Sequence, residues 1–132
     1  MDWLIEVHSV FRWVVLLVAL AAITLAVLSA LGRREWDAVN DRTAFFFTLA
    51  MDLQLLIGVI LWVVEGRWSS SKTALSWLHP LAMIAAVGLA HVGRVRSDRA
   101  TASADRGRQA AIFFAASLVV VIIAIPLYAW PL

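Results

Sequence analysis

Four stretches of this chain are long, apolar and nearly free of charge: residues 13–31, 43–64, 73–93 and 109–132, with Asp52 the one ionisable acid or base inside them apart from histidine. Each is near the ~20 residues that a helix needs to cross ~30 Å of hydrocarbon. Lipid cannot hydrogen-bond to a backbone, so a spanning segment must be a helix or part of a closed barrel. Barrel strands alternate apolar with polar residues, and these runs do not. The expected fold is therefore all-α, an integral membrane four-helix bundle forming a single domain over residues 1–132, with helices near 8–31, 43–65, 74–95 and 109–131. A hydrophobic share of 63%, a charged share of 15% and a mean hydropathy of +0.88 exclude an ordinary soluble globule. The first run follows Asp2 and Glu6 rather than a basic segment, so it reads as a retained helix and not as a signal peptide.

A pI near 9.9 would suit nucleic acid, but the net charge is only +2 and the basic residues stand at the edges of the apolar runs. No nucleic-acid partner is expected. If the spans alternate in direction, Arg33, Arg34, Arg42, Arg94, Arg96, Arg99, Arg106 and Arg108 share one side, eight of the eleven basic residues, against Arg12, Arg67 and Lys72 on the other. The positive-inside rule makes the arginine-rich side cytoplasmic and puts both termini outside. Trp3, Trp13, Trp62, Trp68, Trp77 and Trp130 then form an outer aromatic belt, with Trp36 at the inner edge.

The chain has no cysteine, so disulfides, thiolate clusters and covalently attached haem are excluded, and any metal centre must use His, Met or carboxylate. His8 begins the first span and His79 begins the third, so both imidazoles enter from the same side at similar depth. Imidazoles are costly to leave unpaired in hydrocarbon. Two of them on parallel helices suit the axial positions of a b-type haem, as four-helix bundles hold cofactors between facing helices. Arg12, one helical turn from His8, is placed for a haem propionate, and Met83, one turn from His79, would pack on the ring or substitute as a ligand. Interfacial snorkelling is the plain alternative for Arg12. Asp52 must find a partner or stay protonated, because an ionised Asp at mid-span costs roughly 2.5–3.5 kcal/mol. His91 lies about 18 Å beyond His79 along a helix, at a depth near that of Asp52. The two suit either a structural pair or a proton path to a quinone head group. A second haem would need a fourth ligand, from Met51 or from another subunit.

HSVFRW at 8–13, DLQLLIGVILW at 52–62 and HPLAMIAAVGLAHVGR at 79–94 together resemble a family of small bacterial four-helix membrane proteins labelled cytochrome b-like. The resemblance covers three of the four spans. It implies haem ligation by His8 and His79 with Arg12 beside them, and residence in the bacterial inner membrane. Leu78 stands where that family commonly has glutamate, and some relatives have histidine at the position of Asp52 and none at His91. The outer pair is untouched by these departures.

The expected function is electron transfer by a membrane haem protein, with a quinone or a partner redox complex, rather than turnover of a substrate. Ligands on both sides would leave no open iron position. Its rivals are a cofactor-free accessory or scaffold subunit and a small proton-coupled transporter or channel lined by Asp52, Gln54 and His91. Association into a homo-oligomer is compatible with all three.

Overall fold

The structure is a computed structural model that describes residues 2–69 and 74–125. Its long helices are α1 (Asp2–Ala30), α2 (Ala38–Val64), α3 (His79–Arg99) and α4 (Ser103–Ala124). All four are long and apolar enough to span a membrane, and there is no strand among the described residues. The chain is thus an all-α, multi-pass membrane protein. α2, α3 and α4 reach past their uncharged runs at the arginine-rich end, because charged residues such as Arg96, Arg99 and Arg108 stay helical where they emerge from the apolar zone. Lys72, Tyr128 and Trp130, and the stretch 126–131 expected to complete the fourth helix, lie outside the described residues.

Short connections make neighbouring helices antiparallel. α1 packs on α2 and α4, and α3 packs on the same two, so α1 and α3 face each other across the diagonal of a square. The α3–α4 contact is the most extensive and the α2–α3 contact the least.

The buried positions step by threes and fours. On α1 they are Leu4, Val15, Ala19, Ala22, Ala26 and Ser29; on α2, Asn40, Ala44, Phe47, Met51, Gln54 and Leu61, with Thr48 and Ala50 buried beside that line. Met83, Ala86, Ala90, Gly93 and Ser97 continue the pattern on α3, and Gly107, Ala110, Phe114, Ser117 and Val121 on α4. This is the seam of a left-handed bundle. It is made largely of small residues, while Leu17, Leu20, Ile84 and Ile123 are more than half exposed on the outer surface. Lipid tails are as apolar as leucine, so helices gain by close backbone approach and by polar links on the seam rather than by hiding large side chains. Asn40 donates to Ser29 Oγ at 3.2 Å and to the Leu25 carbonyl at 3.3 Å, tying α2 to α1, and Ser117 donates to the Ala86 carbonyl at 2.6 Å, tying α4 to α3.

The helix ends are specified locally. α1 stops in a Schellman motif: Gly32 has φ +73°, and Arg33 N–H reaches back to the Leu28 carbonyl. Asp37 caps α2 in a box with Asn40 and is clamped by both of its oxygens to Arg34, at 2.9 and 3.0 Å. Ser103 joins the two connections at this end, accepting from Trp36 N–H at 3.0 Å and donating to Glu35 at 2.6 Å.

A Cβ at Gly107 would stand 2.5 Å from the Ala26 carbonyl oxygen and 2.5 Å from Ala30 N, both backbone atoms that cannot step aside. Gly107→Ala is expected to lower stability by about 1–3 kcal/mol through overpacking of α1 against α4. Gly88→Ala, with nothing within 4 Å of the added carbon, is expected to leave it unchanged or raise it. Thermal unfolding of the two variants in the same detergent checks the contrast.

Candidate functional site

At the end of the bundle away from the arginine-rich connections, the seam continues through His8 on α1, Gly58 on α2 and His79 on α3. Ser76 precedes His79 in a single π turn, Ala74–Leu78, that leads into the α-helix. Pro80 lies in the first turn of α3, where its missing N–H would otherwise meet the Ser76 carbonyl. That freed carbonyl accepts instead from the indole N–H of Trp62. The Trp62 ring is in turn edge-on to Trp77 at 5.2 Å and tilted to Trp68 at 5.6 Å. The proline therefore re-aims the start of α3 and gives Trp62 its fixed place.

Both histidines line one cavity, which also touches Gln54, Gly58, Trp62, Arg67 and Met83. His79 Nδ1 is 2.9 Å from the carbonyl oxygen of Ala124, one of the last carbonyls of α4 without a helical partner among the described residues. A proton on Nδ1 makes this a hydrogen bond and leaves Nε2 with its lone pair, the arrangement that orients a metal-ligating imidazole. The His8 ring fills the space left by Gly58: a Cβ there would be 3.2 Å from His8 Cε1. Gln54 donates to the His8 carbonyl at 2.7 Å. Among the described residues, His8 Nδ1 and Gln54 Oε1 are buried and without a hydrogen-bond partner. The cavity volume is about 30 Å³, room for water and for nothing much larger.

Two imidazoles from diagonal helices, one with its far nitrogen anchored and the other with an orphaned ring nitrogen, fit an axial donor pair for haem in kind. The space between them does not fit a macrocycle until the walls part. Arg12 does not line the cavity; its guanidinium lies 5.8 Å from the centre of the Trp13 ring. The arginine at the cavity is Arg67, held at 3.0 Å by Glu65. No group of three or more metal-ligating side chains occurs among the described residues.

A second polar set lies beside the seam, between α2 and α3. His91 Nε2 and Asp52 Oδ1 are 2.8 Å apart, with the two side chains 46% and 47% exposed. Arg94 donates to Thr48 Oγ1 at 3.1 Å and lies over the Phe45 ring at 5.2 Å. Asp52, His91 and Arg94 are each one position off the buried register, so the Asp52–His91 pair reaches across the least extensive of the four helix contacts and opens on the bundle surface instead of filling the core. His91 is about 18 Å from His79 along α3, too far to join the histidine cavity.

Among the cavity residues, sequence reasoning assigns Gln54 only to the channel alternative and gives Arg67 and Gly58 no site. The three-and-four spacing of small and polar residues carries Gln54 and Gly58 into register with His8. Arg67 belongs to a turn, and no periodicity marks it. Comparison with protein-family models, with curated proteins and with solved structures finds no match for this chain.

His91→Ala is expected to destabilise the protein by about 1 kcal/mol or more, because it strands the Asp52 carboxylate in an apolar layer. Asp52→Ala/His91→Ala is expected to be less destabilised than His91→Ala alone, since it removes both groups. Unfolding of the two variants in mixed micelles measures the sign of that difference.

Proposed function

We propose that this chain is a b-type haem protein of the bacterial inner membrane that passes electrons between a membrane quinone and a redox partner. The observation that carries the reading is the convergence of His8 and His79 on one cavity at the same end of the bundle. His79 would hold iron through Nε2 while the Ala124 carbonyl keeps its ring in place, and His8 would ligate from the opposite helix with its ring supported by Gly58. Met83 would pack against the bound group. Arg67, with Arg12 one turn along α1 from His8, would supply positive charge for propionates. Haem held between two histidines supplies one-electron transfer without an open coordination position.

Asp52 and His91 support the quinone half of the proposal. Their half-exposed pair is reachable from the bilayer by a lipid-soluble molecule, and an imidazole hydrogen-bonded to a carboxylate can hold a proton and release it to a reduced head group. The arginine-rich end would be cytoplasmic under this reading, with both termini on the opposite side.

A second reading is favoured by the cavity volume. A cavity with room for water alone suits a cofactor-free subunit in which a bridging water satisfies His8 Nδ1 and Gln54 Oε1. Absorption spectra of protein purified in mild detergent from haem-supplied cells separate the two. The haem reading expects a sharp reduced-minus-oxidised Soret and alpha band that is lost in His8→Ala and in His79→Ala and kept in His91→Ala. A colourless wild-type protein, or colour unchanged in all three variants, overturns the ligand assignment.

The native chain has no cysteine, so its orientation is open to a clean label. Arg33→Cys in intact cells is expected to react with a membrane-impermeant maleimide only after permeabilisation.

A further inference from the structure

We propose that the cleft between the arginine-rich ends of α3 and α4 binds the phosphate of an anionic phospholipid. This does not depend on haem. The cleft has a volume of about 420 Å³ and is lined by Arg96, Arg99, Ala100, Asp105, Arg108 and Gln109. Three guanidinium groups therefore face one carboxylate.

Only part of that charge is answered within the protein. Arg108 Nη2 pairs with Asp105 Oδ1 at 2.8 Å. Arg96 donates from Nε to Gln109 Oε1 at 2.8 Å and lies over the Phe113 ring at 5.5 Å, which fixes the plane of its guanidinium. Among the described residues its two terminal nitrogens have no partner, and the Arg99 side chain makes no hydrogen bond or ion pair. A planar fork held by ring and amide, beside a second free guanidinium, is the arrangement that recognises a phosphate through paired N–H donors.

The source of the phosphate follows from what lies next to the cleft. Val92 precedes Arg96 by one turn on the same face of α3, and Ile112 follows Arg108 by one turn on the same face of α4. Val92 is 44% exposed and Ile112 54%. An acyl chain attached to the bound phosphate would lie along these two side chains in the hydrocarbon layer, whereas a free inorganic ion would leave them uncovered. Basic pockets between spanning helices recognise lipid head groups by this combination.

The test is retention of added lipid by detergent-purified full-length protein, measured by native mass spectrometry with equimolar phosphatidylglycerol and phosphatidylcholine. Phosphatidylglycerol is expected to be retained preferentially. Arg99→Gln is expected to weaken retention about fivefold and Arg96→Gln/Arg99→Gln at least about tenfold. Arg33→Gln/Arg42→Gln removes the same charge from the same end, outside the cleft, and is expected to retain the lipid as the wild type does. Thermal unfolding verifies that each variant is folded, and Arg99→Gln, which breaks no bond within the protein, gives the result should the double variant fail. Equal retention of both lipids, equal loss in the two double variants, or unchanged retention in Arg99→Gln overturns the proposal. So does displacement of the lipid by millimolar inorganic phosphate, which would make the cleft a site for free anions.

Discussion

Helices in a bilayer gain nothing by exchanging lipid for one another's leucines, so the contact that this fold depends on is backbone against backbone. Such an approach occurs where Gly107 of α4 meets Ala26 and Ala30 of α1, with no room for one more carbon. From there Ala22, Ala19 and Val15 carry the same seam along α1, and Ala110, Phe114 and Ser117 along α4. Dispersion between closely spaced main chains, with a few hydrogen bonds such as Asn40 to Ser29, holds what a soluble bundle would hold with large apolar side chains. Many of the bulky residues, such as Leu17, Leu20, Ile84 and Ile123, are turned outward, where lipid accepts them at no cost, while Phe47 and Phe114 pack edge to face inside.

That register also decides what each polar residue does. A group on the seam is enclosed by three neighbours, and a group one position to the side reaches the edge of a helix pair. His8, Gln54, Gly58 and His79 occupy the seam at one end and enclose a cavity. Asp52 and His91 occupy flanking positions and bridge α2 to α3 much as flanking charges do in a coiled coil. The different fates of His79 and His91 thus follow from one step in phase along α3.

The spans, their number and the pairing of Asp52 with His91 were legible because hydrocarbon thickness and the cost of an unpaired charge are one-dimensional constraints that residue counting satisfies. Depth along the helix brought His8 level with His79 for the same reason. Rotation about the helix axis was harder to read: Arg12 shares a face with His8 by spacing, yet the bundle turns its guanidinium to Trp13. Arg67 was hidden because a turn places it, through Gly66 at φ +63° and the ion pair with Glu65, and turns leave no periodic trace. The extra helical residues at the arginine-rich end were missed because charge limits a span but does not limit a helix.

A left-handed glycine stands at each end of the bundle, Gly32 beside the arginines and Gly66 beside the histidine cavity, but the π turn before His79 and Pro80 in the first turn of α3 lie at the cavity end, while the opposite end is tied by a capping box and by Ser103 between its two connections. Local departures from regular geometry cost free energy, and chains tend to keep them where function needs them. At the opposite end Gly107 sets α4 directly against the backbone of α1 and the connections are capped and cross-linked, so the least regular backbone and the tightest contact stand at opposite ends of the same seam.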